Sequence, residues 1–290
     1  DSSTSRGLGD VYKRQRQLGL YFVLAIVFVA GLLLALNQLA GLMGTATQEA
    51  QAVDFANNSI SAVLREEPPQ LDSSKATDST SGLVLGHIME GLLRMDLQDR
   101  LSPAIAERWE VTPTHATFWL RKDAKWSDGK PISAADFIFA WQLALKPETG
   151  SEYASLLYPI ENAEAINTGK LPASALGVSA PDPHTLVVKL TRPIAFFDKL
   201  VVFPTFLPIR EDFYNATQGR FGSDAKDLLY SGPYTIKSWV HGASMLLERN
   251  SHYWDSNRGK LAQINFAYIT SDATATLNFF KDERLSLIHI

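Results

Sequence analysis

The sequence contains no cysteine among its 290 residues. This absence excludes disulfides, thiolate metal sites, cysteine nucleophiles and a lipid-modified N-terminal cysteine. An excess of basic charge is missing as well. The chain has 27 Lys and Arg against 31 Asp and Glu, a formal net charge of −4. Such a balance gives no general attraction for polyanions, so we expect no nucleic-acid partner.

Recognisable catalytic motifs are also missing. The chain has no G-x-S-x-G, H-E-x-x-H, G-x-G-x-x-G or G-x-x-x-x-G-K-[ST] sequence. Five of the six histidines, at positions 87, 115, 184, 241 and 252, are scattered, and none has a second histidine three or four residues away. We therefore predict no catalytic residue, no cofactor and no metal site. A hydrolase with catalytic groups outside this chain remains an alternative.

One long apolar run does stand out. Residues 18–36 carry no charge, and about twenty apolar residues can span a bilayer as a helix. We predict a transmembrane anchor over residues 16–40. The alternatives are a buried core helix and a cleavable signal peptide with an A-x-A site at residues 50–52. Arg16 precedes the run and no positive charge follows it until Arg65, so the positive-inside rule favours a location outside the cytoplasmic membrane for the rest of the chain.

The remaining sequence mixes strand and helix patterns without a strict βαβ rhythm, which predicts a mixed α/β fold. Alternating apolar residues predict a strand at residues 60–64. The spacing of Leu and Ile over residues 81–96 predicts a helix. A second helix is predicted from residue 133 onward, because Ser133 and Asp136 form an S-x-x-D capping pattern.

Further along, the stretch "SGPYTIKSWVHGASMLLERN" predicts two strands joined by a turn at His241-Gly242. The stretch "DATATLNFFKDE" then predicts a helix.

Several stretches in the same order resemble a known family. They include "REEPPQLDSSKATDSTSGLVLGHIMEGLLRMD", "LSPAIAERWEV", "SDGKPISAADFIFAWQLALKPETGSEYASLLYPIENAEAINTGK" and "SGPYTIKSWVHGASMLLERNSHYWD". Together they resemble the oligopeptide-binding (family 5) solute-binding proteins of peptide ABC importers, from about residue 60 to residue 283. The resemblance implies a type II periplasmic-binding-protein-like fold. That fold has two ligand lobes with an extra domain on the first, and it holds an extended peptide in the cleft between the lobes.

The resemblance also implies a domain organisation. The predicted regions are a transmembrane anchor or signal (16–40), a linker (41–59), the first part of lobe I (60–80 and 208–284) and the extra domain, or domain II (81–207). Residues 5–15 and 285–290 match translations of the two strands of a transposase-type sequencing adapter. We therefore expect residues 1–15 and 285–290 to be adapter artefacts. On this view the chain is a fragment, truncated to lobe I plus the extra domain, and the second ligand lobe is missing from it.

The ligand-binding residues implied by the resemblance are Glu67, Pro68, Pro69 and Tyr153. A carboxylate at Glu67 could meet a cationic group of the ligand, although a merely solvated side chain is the alternative. The two prolines end a strand edge and leave main-chain groups free for a ligand. Tyr153, in "SEYASLL", matches a family tyrosine that contributes to the pocket.

The implied function is peptide capture for an ABC importer, by lobe closure and without catalysis. The expected partners are an oligopeptide ligand, the ABC permease subunits and the membrane, which the N-terminal helix would enter. We expect a monomer in the periplasm or another extracytoplasmic space. It would be tethered to the inner membrane or exported by a cleaved signal. A membrane-tethered peptide sensor with the same fold is the alternative.

Overall fold

The structure, a computed structural model, describes residues 21, 24–32 and 52–286. The chain divides into two units, Asp1–Ala50 and Gln51–Ile290. The described residues of the first unit are helical and exposed. The rest of the predicted anchor 16–40 lies outside the described residues, as do residues 1–15, 41–51 and 287–290. Within the described part of the chain, no helix combines the length and apolar character needed to cross a membrane.

The second unit contains eleven strands and six α-helices within its described residues. The strands are β1 (Val53–Asp54), β2 (Ser59–Leu64), β3 (Leu93–Met95), β4 (Leu101–Pro103), β5 (Ala106–Val111), β6 (His115–Leu120), β7 (Val178–Asp182), β8 (Thr185–Lys189), β9 (Tyr234–Val240), β10 (Ser244–Arg249) and β11 (Gln263–Ile269). The helices are α1 (Ser79–Ile88), α2 (Ala134–Leu145), α3 (Ala163–Asn167), α4 (Phe197–Leu200), α5 (Glu211–Ala216) and α6 (Ala273–Lys281). Short 3₁₀ turns lie at Pro147–Thr149, Ala154–Leu157, Ala173–Ala175, Pro204–Phe206 and Ala225–Asp227.

A five-stranded sheet joins the two ends of this unit in the order β1-β2-β11-β10-β9. β2 pairs with β11 in parallel, whereas the other pairs are antiparallel. The β9–β10 register shifts between Leu246 and Leu247. Such an irregularity changes the phase of the side chains along a strand. Accordingly, β9 buries Ile236 and then Trp239 rather than every second residue.

A four-stranded antiparallel sheet, in the order β5-β6-β8-β7, occupies the middle of the sequence. The predicted helix at Ser133 is confirmed as α2: the Asp136 carboxylate accepts the Ser133 N–H at 2.9 Å. Aromatic residues fill the core beside this helix. The Trp141 indole N–H donates to the Phe206 carbonyl at 3.1 Å, and the two rings meet edge to face.

α1 covers part of the five-stranded sheet through His87, whose ring lies 6.4 Å from the rings of Tyr234 and Phe266. The predicted helix over 81–96 is only partly correct, because α1 ends at Ile88 and β3 begins at Leu93. The Gly232 N–H donates to the Ile88 carbonyl at 2.9 Å. A Cβ on Gly232 would lie 2.7 Å from the Ile88 carbonyl carbon, so only glycine lets the chain end the helix here.

The two sheets use different parts of the chain. Every strand of the five-stranded sheet lies before residue 65 or after residue 233, and every strand of the four-stranded sheet lies between residues 106 and 189. β1 falls inside the stretch 41–59 that we predict to be a linker. Leu285 is buried, and the Ser286 N–H donates to the Ser61 carbonyl at 2.8 Å. The domain limits and the adapter origin of 285–290 stay predictions.

Candidate functional site

Glu67 lies on the segment that leaves β2 and reaches the turn between β9 and β10. The Trp239 indole N–H donates to Glu67 Oε1 at 2.7 Å, and His241 Nδ1 lies 2.8 Å from the same oxygen. The Gly242 N–H donates to Oε2 at 2.8 Å. Since a carboxylate has about four acceptor positions, one remains for a further donor. The Glu67 side chain is about one-third exposed, so it is accessible to solvent.

The β9–β10 turn is shaped to receive this carboxylate. Gly242 has φ +71°, a left-handed conformation that glycine adopts without strain. The turn is closed by the Ala243 N–H, which donates to the Val240 carbonyl at 2.9 Å. The Trp239 and His241 rings lie 4.4 Å apart at a tilt of 38°. Two ring nitrogens and one main-chain N–H thus converge on a single side chain.

Several main-chain polar groups around Glu67 have no hydrogen-bond partner within the described residues. In that part of the chain, the N–H groups of Glu66 and Glu67 and the C=O groups of 66–69 make no hydrogen bond, while Pro68 and Pro69 have no N–H to donate. The main-chain groups of exposed Thr77, ahead of α1, are unpaired among the described residues as well. Pro68 is buried and Pro69 is exposed. Main-chain groups that are accessible and unpaired can accept an extended ligand in the manner of an added strand.

The same segment is fixed further along by buried contacts. The Leu71 N–H donates to the Gly222 carbonyl at 2.8 Å, and the Ser81 hydroxyl donates to the Gln70 carbonyl at 2.9 Å. Asp72 is almost fully buried, and its Oδ1 accepts from the Ser74 N–H and hydroxyl. Burial raises the pKa of the Asp72 carboxyl despite these bonds, because desolvation disfavours the charged form. These hydrogen bonds hold the segment that follows Glu67 in a defined position against the rest of the fold.

Tyr153 lies in the middle part of the chain, directly before the 3₁₀ turn Ala154–Leu157. Its side chain is 43% exposed. Among the residues that the structure describes, none forms a hydrogen bond with its hydroxyl. The structure therefore brings Glu67 to the β9–β10 turn, with Pro68 and Pro69 next to it in sequence. It joins Tyr153 to none of these residues by a hydrogen bond.

Sequence reasoning missed a buried polar cluster centred on Glu90. Its carboxylate accepts from the Tyr253 hydroxyl at 2.7 Å and from the Trp254 indole N–H at 2.6 Å. Arg94 donates to the same carboxylate at 3.1 Å and also lies 3.4 Å from Asp255. Burial, followed by the Glu90 charge, raises the pKa of Tyr253. The sequence does contain one indication of this cluster, because Glu90 is the only charged residue in the apolar run "IMEGLL". A carboxylate that is buried with such a run requires hydrogen-bonding partners.

These features describe binding chemistry. The described residues contain no group of three His, Asp or Glu side chains that could hold a metal ion. The candidate site contains the Glu67 carboxylate, the Trp239 and His241 rings of the β9–β10 turn, and the unpaired main-chain groups of 66–69. Polar groups of this kind can orient a ligand on a preformed surface.

The fold is that of a periplasmic binding protein of the oligopeptide-binding type. A crystal structure of the substrate-binding domain of an oligopeptide ABC transporter from Bacillus anthracis aligns with a TM-score of 0.77 and 37% identity, covering 82% of this chain and 45% of that one. Listeria monocytogenes OppA bound to peptide aligns with a TM-score of 0.76 and 31% identity, covering 79% and 46%.

The family assignment follows from the sequence comparison. Residues 100–288 match the model of "Bacterial extracellular solute-binding proteins, family 5 Middle". The chain belongs to this family. The periplasmic oligopeptide-binding protein OppA of Salmonella typhimurium is 35% identical over 254 residues, which cover 86% of this chain and 46% of that protein. The chain thus spans about half the length of the relatives that it matches.

Proposed function

We propose that this chain is part of an extracytoplasmic oligopeptide-binding protein that captures extended peptides and delivers them to the permease of an ABC importer. The main support is the likeness to a peptide-bound structure at 31% identity, which extends over 79% of the chain. The proposed protein is a monomer that binds without catalysis, and it needs no cofactor.

In this proposal the wall of the peptide site is the segment that carries Glu67, Pro68 and Pro69. The main-chain groups of 66–69 would pair with the peptide backbone. The remaining acceptor position of Glu67 would meet a cationic group of the ligand, and Tyr153 would contribute its free hydroxyl. Affinity carried mainly by main-chain hydrogen bonds suits a protein that accepts many peptide sequences.

The proposed domain plan assigns 60–80 and 208–284 to lobe I and 81–207 to the extra domain of a type II fold. The segregation of the two sheets supports this plan, since neither draws strands from both regions. The second ligand lobe would follow residue 284. The cleft would then lie between the two lobes and close around the peptide.

The proposed location is the periplasm or its equivalent. The uncharged run 18–36 supports either a helix that tethers the protein to the inner membrane or a signal that is removed on export. A tether would keep the binder near its permease and raise its effective concentration there.

The test is calorimetry with a library of unlabelled oligopeptides on the product of the complete reading frame, beside the 290-residue chain. The complete product should bind with a Kd of about 1 μM or tighter, roughly −8 kcal/mol. The 290-residue chain should bind at least about tenfold more weakly, because one wall of the cleft is absent. Mass spectrometry after incubation should recover every peptide intact.

Failure to bind any peptide would overturn the proposal. Cleavage of the bound peptide would replace it with the hydrolase alternative. Binding with no loss of peptide uptake after deletion of the gene would favour a sensor instead.

A further inference from the structure

An open groove lies in the middle part of the chain, on residues that neither the family comparison nor the proposed peptide site assigns. Its volume is about 860 Å³. One wall is formed by the 3₁₀ turn Ala154–Leu157 and by α3, and the other by residues 191–196 and α4. This volume falls within the range of small-molecule sites in proteins, about 300–1,000 Å³.

The groove is built on paired main chain. Ile160 and Leu190 form an antiparallel bridge, and the Thr191 N–H donates to the Pro159 carbonyl at 2.9 Å. These bonds join the two segments that carry the walls of the groove. The opening is therefore a feature of the folded chain rather than a gap between loose loops.

The walls are largely apolar. Leu156, Ile194, Phe196 and Leu200 line the groove, and Phe196 is 54% exposed. At this exposure the Phe196 ring contributes only part of the stabilising free energy that full burial would give. An apolar ligand body in the groove would recover part of the remainder.

The charged lining groups carry a net positive charge. Lys170 and Arg192 line the groove beside a single carboxylate, Glu164. Within the described residues, neither cation makes a side-chain hydrogen bond or ion pair. The other polar lining groups are partly occupied: the Tyr158 hydroxyl donates to Asn167 at 2.9 Å, and the Asn162 amide donates to the Ala175 carbonyl at 2.7 Å. Two cations are thus left to recognise a ligand.

We propose that this groove binds an amphipathic monocarboxylate, in which one carboxylate is joined to an apolar body. A guanidinium pairs with a carboxylate through two parallel hydrogen bonds, which fixes the head of the ligand at Arg192. An apolar alcohol would leave both cations without a partner, and an amphipathic cation would be repelled by them. A ligand head with two negative charges would exceed the single net positive charge of the groove lining.

The probe is octanoate, titrated into the purified full chain with isotope-labelled isoleucine methyl groups. The Ile194 signal is assigned by its loss in Ile194→Val. Octanoate should shift this signal in a saturable manner with a stoichiometry of one. Octanol and octylammonium should each bind at least about tenfold more weakly, because they lack the charge-assisted hydrogen bonds.

Two pairs of variants locate the site. The double variant Lys170→Glu/Arg192→Glu should weaken octanoate binding at least about tenfold. The control is Lys199→Glu. Lys199 is exposed on α4 and does not line the groove, so this variant should change the affinity by less than about twofold. Phe196→Asp should weaken binding. Phe203→Asp should not, since Phe203 is 49% exposed but does not line the groove.

Three results would overturn the proposal: no saturable shift at Ile194, equal binding of octanol, or binding that survives both charge reversals. Tyr153→Phe separates this site from the proposed peptide site. Because Tyr153 does not line the groove, the substitution should leave octanoate binding unchanged. A loss there would assign the octanoate to the peptide site and remove the separate site.

Discussion

At Glu67, a single carboxylate holds three groups that lie 172 to 175 residues further along the chain. The resemblance to the family 5 binding proteins indicated this residue as a site candidate. It could not indicate Trp239 or His241 as partners, because no local pattern relates positions so far apart. The same limit applies to Glu90 and its partners Tyr253 and Trp254.

Replacing Glu67 with alanine should lower the free energy of unfolding by about 1–3 kcal/mol, since the Trp239 indole and the Gly242 N–H lose their acceptor. Urea denaturation monitored by tryptophan fluorescence measures the change. The matched control is Glu66→Ala. Glu66 is exposed and makes one long contact, 3.4 Å from the Thr80 hydroxyl, so its loss should cost less than about 0.5 kcal/mol. Equal effects of the two variants would show that the three contacts contribute nothing.

Asp72→Asn should change how stability depends on pH. Burial raises the pKa of Asp72 in the folded state above its ordinary value of 3.8. A raised folded pKa contributes stability that is fully present below pH 3.8 and is lost as the pH rises through the folded pKa. Asparagine keeps the Oδ1 that Ser74 contacts and does not ionise. The stability of the variant relative to the unsubstituted protein should therefore increase as the pH rises from 3 towards 7.

Urea midpoints of both proteins, taken at a series of pH values, give this difference. If the stability of Asp72→Asn relative to the unsubstituted protein stays constant or falls as the pH rises, ionisation of the buried Asp72 carboxyl does not destabilise the folded state as expected.

Helices differed in how well the sequence predicted them. α2 was predicted correctly because its start is encoded locally, by Ser133 and Asp136 at a spacing of three residues. The predicted helix over 81–96 ran too far, because the apolar spacing continues past Ile88 into β3. What ends α1 is the approach of Gly232 from a distant turn. A local pattern shows where a helix is possible, and tertiary contacts decide where it stops.

Gly232→Ala should destabilise the protein by about 1–3 kcal/mol, because the new methyl group would overlap the backbone at Ile88 and Met89. The matched control is Gly86→Ala within α1. A Cβ there meets no atom within 4 Å, and alanine is the better helix former, so it should stabilise by about 0.5–1 kcal/mol. Thermal unfolding followed by circular dichroism compares the two. A Gly232→Ala variant as stable as the unsubstituted protein would rule out a close approach at the end of α1.

For the whole molecule, the mix of strand and helix patterns predicted the mixed α/β class, and the order of stretches along the chain predicted the family. The structure confirmed the class and the comparisons confirmed the family. The pairing of strands could not be predicted in the same way. β2 lies between a hairpin partner and a strand from the far end of the chain, and alternation within a strand indicates its buried face but not its neighbours. The free main-chain groups of 66–69 also emerged only from the folded chain.

If main-chain pairing carries peptide affinity, the complete gene product should discriminate little between side chains. Tripeptides that differ in their central residue should bind with Kd values within about tenfold of each other. N-methylation of the peptide backbone should weaken binding by more than that spread, because it removes donors and blocks the approach of the chains. Calorimetry measures both series. A wide spread among side chains with no effect of N-methylation would assign the affinity to side-chain pockets instead.

The parallel pairing of β2 with β11 sets an order of events on the ribosome. Leu64 lies opposite Ile269, about 200 residues later in the sequence. At 5–20 residues per second, β2 waits roughly 10–40 seconds for its partner to be synthesised. The four-stranded sheet has all of its strands by residue 189 and can assemble during that interval. The sheet beside which Glu67 lies is therefore completed after the four-stranded sheet. Until then the newly made chain carries an apolar strand with one edge unpaired, which a chaperone or an export machinery can hold.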